Sequence, residues 1–295
     1  MGGLVLVTVD GITPLLALLL LLLIAYAAGA VGAASGTGGG IFLVPALVLV
    51  FGVEIHVAVA ASLVSVIATS SAAASEGVES GLTNYRLGMF LESGTAVGGV
   101  VGAAIAVTVL ASRSDVLVFA FVPVVLFAAG VMAASRARDS VPEPPPDALA
   151  RRLRLDAEYV GPRSGIRRSY HVTATKVGLA FAVMAGVASG LLGIGGGVFK
   201  VPAMNAFMNV PLRAASATST FMIGVTAAAG ALVYLFAGDV ALTIVAPVVL
   251  GVFVGTVSGR RYAYRASISR LKLLFVGLLV TASLLMVARG LGVLP

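Results

Sequence analysis

Residues 193–203 read GIGGGVFKVPA and residues 36–46 read GTGGGIFLVPA, both inside otherwise apolar tracts. Glycines spaced this closely let successive backbone N–H groups turn toward one point, which makes a nest for an anion. A helix that starts immediately afterwards adds the positive end of its dipole to the same spot. The candidate anion-binding backbone is therefore Gly36, Gly38, Gly39 and Gly40 in the first run, and Gly193, Gly195, Gly196 and Gly197 in the second. Pro45 and Pro202 are expected in the first turn or so of the helices that follow, where a missing N–H costs little. Lys200 adds a formal positive charge after the second run, where the first has Leu43. It either faces the anion or snorkels to the outer interface.

Hydroxyls give an oxyanion donors without adding charge. Ser62, Ser65 and Thr69 follow the first glycine run, and Thr218, Ser219, Thr220 and Thr226 follow the second. The plain alternative for each is a bond back to the i−4 carbonyl of its own helix. A proton-coupled carrier needs an acid or histidine within the span. Glu92 near the inner end of its segment is one candidate, with Glu54 and His56 at a loop, and the cytoplasmic interface is the other reading for Glu92.

The elements that position these groups are membrane segments. The chain has 295 residues, 59% hydrophobic and 11% charged, with a mean hydropathy of +1.10. Apolar stretches of about 20 residues, enough to cross a bilayer, recur along it. The run at 15–34 reads as the first span: no Lys or Arg precedes it, as one would in a signal peptide. With no cysteine and two histidines, neither a disulfide framework nor a clustered metal site is expected, and no cofactor is called for. The net charge of +7 fits cytoplasmic loops better than nucleic acid. An intramembrane serine enzyme is the rival class, from Ser35-Gly36 and Ser189-Gly190. It lacks a base at depth, since His56 falls in an expected outer loop and His171 in a polar linker.

Sliding the chain by 157 residues aligns 30–102 with 187–259 without a gap, and 21 of the 73 pairs are identical. The matches include both glycine triplets, Pro45 with Pro202, Ser62 with Ser219, and Thr69 with Thr226. They also include Gly94, Gly98 and Gly102 with Gly251, Gly255 and Gly259, which read as close-packing helix faces. Each copy divides into five apolar segments: 15–34, 41–51, 56–75, 88–110 and 116–135, then 176–192, 198–208, 212–236, 241–259 and 271–289. If all ten cross and 136–175 is cytoplasmic, 16 of the 19 basic residues lie inside. An odd number of crossings per copy inverts one relative to the other, a transporter arrangement with its site near the midplane. The expected fold is an all-α polytopic membrane protein. It has about ten membrane segments in two inverted five-segment repeats, with broken helices at the GxGGG motifs. The first repeat is 1–135, the linker 136–175 and the second repeat 176–295. Within the linker, Leu149, Leu153 and Tyr159 with interleaved arginines suggest an amphipathic helix on the inner leaflet; a flexible tether is the alternative.

The paired GxGGG…VP motif, each copy followed by an Ala/Ser/Thr-rich helix, resembles the TauE/SafE family of sulfite exporters over nearly the whole chain outside the linker. The second copy, with Gly-Ile-Gly-Gly-Gly and Thr218-Ser219, is nearer the family pattern than the first, with Gly-Thr-Gly-Gly-Gly and Ala61-Ser62. The resemblance implies a multi-pass carrier in a prokaryotic plasma membrane, without enzymatic activity. Its cargo would be a small sulfur-containing anion such as sulfite, sulfoacetate or thiosulfate, with export the expected direction. An anion channel, or an importer of another small organic anion, is the alternative. The expected partners are that anion and the lipid bilayer, with no nucleic acid.

Overall fold

The structure is a computed structural model. It describes residues 13–35, 38–79, 81–134, 145–160 and 167–263, and helical positions 277, 281, 284, 285 and 288. Ten α-helices are described: α1 (Pro14–Ser35), α2 (Gly40–Phe51), α3 (Ile55–Glu79), α4 (Tyr85–Ala104), α5 (Ser114–Ala134), α6 (Ala148–Leu153), α7 (Thr175–Leu192), α8 (Gly197–Ala206), α9 (Leu212–Ala237) and α10 (Leu242–Ala263). A π-helical turn, Ile105–Val109, continues α4. Among the described residues, six helices are long and apolar enough to cross a membrane: α1, α3, α4 with its π-turn, α7, α9 and α10. The protein is thus a mostly helical, multi-pass membrane protein. Large apolar side chains such as Leu23, Val97, Leu232 and Leu250 are exposed on these helices, as a lipid-facing surface requires.

The helices pair in a pattern that survives exchanging the two halves of the chain. α1 packs along α10 as α4 packs along α7, α3 crosses α9, and α4 meets α9 as α10 meets α3. The short helices sit inside this frame, α2 against α1 and α3, and α8 against α7 and α9. The glycine faces set the closest approaches. A Cβ on Gly98 or Gly102 would collide with the carbonyls of Val183 or Val187 on α7, and one on Gly186 or Gly190 would collide with those of Thr95 or Gly99 on α4. On the other pair, Gly255 lies against the Tyr26 carbonyl and Gly29 against that of Val252. Only residues without side chains let two backbones approach this closely.

The linker departs from an all-α fold. Its helix ends at Leu153, and the chain then forms an antiparallel hairpin of β1 (Ala157–Val160) and β2 (Arg167–Tyr170). Tyr159 therefore lies in a strand, not on an amphipathic helix. A second core explains the folding: Leu155, Tyr159, Tyr170 and Val172 pack with Leu87 and Leu91 of α4, Met204 of α8, Met208, and Met222 of α9. Asn84 ties the junction together. Its side chain accepts from Leu87 N to cap α4, and donates to the Leu155 carbonyl and the Tyr170 hydroxyl. Burial pushes the Tyr170 phenol up to about 12, although the bond from Asn84 opposes the shift.

Candidate functional site

Both glycine runs end in a helix start. Gly38 and Gly39 have φ of 84° and 77°, Gly195 and Gly196 have 72° each, and α2 and α8 begin immediately after. These left-handed values are open to glycine at little cost and strained for other residues. Gly36 lies outside the described residues. Pro45 and Pro202 fall at the sixth helical position, one turn later than expected. There each removes the N–H that would bond the carbonyl of Ile41 or Val198. The two runs meet in space. A Cβ on Gly40 would strike the carbonyl of Gly193, and Ser62 Oγ donates to that carbonyl at 2.6 Å. Gly193 itself caps α7, its N–H bonded to the Ser189 carbonyl.

The hydroxyls expected along α3 and α9 have divided roles. Ser62 commits its proton to Gly193, Ser65 bonds back to the Ser62 carbonyl and Thr69 to that of Ser65. Thr218 is drawn to the linker end, where its Oγ1 accepts from Asn84 N. Ser219 is fully buried, and among the described residues its Oγ has no hydrogen-bond partner. Beside the first run a narrow cleft is lined by Gly38, Thr69, Ser70, Ala73, Thr220 and Ile223.

Lys200 does not snorkel. It is 3% exposed, and its Nζ donates to Thr226 Oγ1 at 2.7 Å and lies 3.6 Å from Glu92 Oε2. Glu92 is 8% exposed, so the cytoplasmic-interface reading fails for it. Thr226 Oγ1 donates to Glu92 Oε1 at 2.8 Å and lies 3.0 Å from Thr95 Oγ1. The lysine stem folds back over its own helix start: a Cβ on Gly196 would lie 3.4 Å from Lys200 Cε. Thr95 and the Glu92–Lys200 pairing were not singled out from sequence. A signal was nonetheless present, because at an offset of 157 the polar Lys200, Glu92 and Thr95 align with Leu43, Val249 and Val252.

For Ser189 the linker histidine is out of reach, and His56, expected in a loop, is the second residue of α3. Ser189 Oγ is buried, but His171 stands before α7 and pairs with Asp156 at 3.2 Å. The helical rise from Thr175 to Ser189 alone is about 21 Å. Among the described residues no group of three or more His, Cys, Asp or Glu side chains could hold a metal ion.

The family model described as Sulfite exporter TauE/SafE matches residues 21–286. A protein of Bacillus subtilis (strain 168), described as "Probable membrane transporter protein YunE", is 29% identical over 212 residues, covering 70% of this chain and 73% of that protein. No solved structure matches the chain.

Proposed function

The chain belongs to the TauE/SafE sulfite exporter family, and we propose that it is a secondary transporter exporting a small sulfur-containing anion of the sulfite, sulfoacetate or thiosulfate type across the plasma membrane. The anion binds near the midplane, where the two glycine runs meet. The observation that carries this reading is the contact of Gly40 with the Gly193 carbonyl, fastened by Ser62. It sets glycine runs from opposite halves of the chain side by side, each at a helix N-terminus that favours negative charge. Ser219, buried without a partner among the described residues, supplies a hydroxyl still able to donate.

The exchange-tolerant pairing of helices supports an inverted repeat, with 1–135 and 176–295 as its halves and 136–175 as a cytoplasmic linker. The linker packs against the start of α4, the start of α9 and the residues after α8. Those are the ends that the basic-residue count assigns to the cytoplasm. Inverted halves of this kind alternate access by rocking around a fixed site.

Flux from liposomes containing the purified protein tests the reading. Preloaded sulfite, thiosulfate or sulfoacetate should leave by saturable, counterflow-competent transport, with Gly38→Ala slowing it severely. Unsaturable flux without counterflow would indicate a channel, and no flux of any of the three would refute the substrate class.

A further inference from the structure

The Lys200–Glu92 pair is a charged device that the repeat itself does not require. At the aligned positions the first half places Leu43 opposite Lys200, and α10 places Val249 opposite Glu92. An apolar arrangement therefore serves in the related half. Burying two ions costs several kcal/mol each before their attraction is counted, so a pair retained on one side only calls for a use. Its geometry is also incomplete as a structural bridge. Lys200 Nζ bonds Thr226, while Glu92 Oε2, at 3.6 Å, has no hydrogen-bond partner among the described residues. Thr226 stands between the two, accepting from the ammonium and donating to Oε1.

We propose that Glu92 is the proton-coupling group of the carrier, and that its protonation releases the Lys200 ammonium to the anion. This rests on the reading that the anion binds at the glycine junction. The lysine stem already lies against Gly196, the residue from which α8 starts. A solvent proton bonds to Glu92 Oε2, giving a neutral carboxylic acid. The ammonium keeps its charge, loses its ionic partner and pairs with the incoming anion. On the other side the anion leaves, the acid returns its proton to water and the Lys200–Glu92 pair reforms. A proton entering with the anion offsets one of its negative charges: hydrogensulfite then leaves the interior neutral, and a thiosulfate or sulfoacetate dianion leaves one uncompensated buried charge where it would otherwise leave two. Proton and anion thus travel together, and the two gradients jointly set the direction.

Among the described residues no other charge faces Glu92. On α4, Tyr85 and Arg86 are exposed at the helix start; Lys176 of α7 and Arg213 of α9 are exposed at theirs. The Tyr234 hydroxyl of α9 is bonded to the Gly190 carbonyl. From α8 only Lys200 reaches the carboxylate.

The test uses the full-length protein in liposomes with the voltage clamped by potassium and an ionophore. Radiolabelled thiosulfate and sulfoacetate are the probes, since neither takes up a proton near neutral pH. With equal anion on both sides, acidifying one compartment should drive the anion to the alkaline side, by up to about tenfold per pH unit. In Glu92→Gln any remaining flux should ignore the pH gradient. Wild-type flux that ignores the gradient, or Glu92→Gln flux that still follows it, would overturn proton coupling and leave anion transport standing. Should Glu92→Gln show no net flux, its anion–anion exchange at equal pH decides: exchange retained without pH-driven flux supports Glu92 as the coupling group, and exchange lost with it would overturn that assignment. No flux of either anion or of sulfite in the wild type would refute the transport reading, and the coupling with it.

Discussion

Ser62 Oγ, on α3, donates a 2.6 Å hydrogen bond to the carbonyl of Gly193, 131 residues further along the chain. A hydroxyl from one half thereby holds the glycine run of the other, and both groups are withdrawn from water. Leaving a buried carbonyl without its donor costs about 1–3 kcal/mol. Ser62→Ala should lower the thermal stability of the purified protein by that amount and weaken anion binding along with it. Ser65→Ala removes only a bond back to its own helix, to the Ser62 carbonyl, and should be milder in both readouts. Equal effects would mean that the Ser62 bond does not fix the junction.

The glycine faces predict a position-dependent cost for one methyl group. Gly98→Ala and Gly255→Ala push a Cβ into the Val183 and Tyr26 carbonyls, so the paired helices must separate. Overpacking of this kind typically costs about 1–3 kcal/mol. Gly130, on α5, has nothing within 4 Å of its would-be Cβ, and Gly130→Ala should be neutral or slightly stabilising. Differential scanning fluorimetry on the three variants checks the ranking.

Lys200 and Glu92 should behave as a unit. Removing one partner of a buried pair typically costs about 3–5 kcal/mol, because the other charge is stranded. Lys200→Met alone should therefore destabilise more than Lys200→Met combined with Glu92→Gln. A double variant less stable than the single would contradict the pairing.

Asp147 links the linker to the second half. It caps α6 by accepting from Ala150 N, and it accepts from both Thr175 N and Thr175 Oγ1 at the start of α7. Burial pushes its carboxyl up, but the bonds from Ala150 and Thr175 outweigh burial and hold it below the usual aspartate range. A depressed folded-state pKa gives stability that is present above the unfolded-state value and is lost as pH falls through the folded one. The linker should therefore loosen below about pH 4, near the ordinary aspartate pKa. Proteolysis of the linker by pepsin, compared between wild type and Asp147→Ala, checks this: the variant should be cut readily at every pH tested.

The boundaries of the long helices were legible because their apolar runs end at polar or glycine-rich punctuation. α7, expected from 176 to 192, runs from Thr175 to Leu192, and α9, expected from 212 to 236, runs from Leu212 to Ala237. The close-packing role of the Gly94 and Gly251 series was legible for the same reason, since a four-residue spacing keeps one helix face bare. The hairpin was not. Its strands are four residues each, AEYV and RRSY, too short for a period to register, and they are held by Asn84 and Leu87 from a different part of the chain. The start of α6 was legible in retrospect, in the Pro-Asp preceding ALARRL. Glu92 and Lys200 are 108 residues apart, and each alone is as consistent with an interface as with the interior. Only their shared departure from apolar repeat partners carried a hint. Thr218, expected beside the anion, instead completes the Asn84 junction, a contact that no local pattern encodes.

Thermal stability of the purified protein across a panel of sulfite, thiosulfate, sulfoacetate, sulfate, acetate and chloride tests the anion site most directly. A ligand that binds only the folded state stabilises it by about 2.7 kcal/mol at 100-fold over its dissociation constant. One sulfur anion should raise the melting temperature well above sulfate and chloride, and Gly38→Ala should abolish the increment. A flat panel, or an increment unchanged in that variant, would contradict an anion site at the meeting of the two glycine runs.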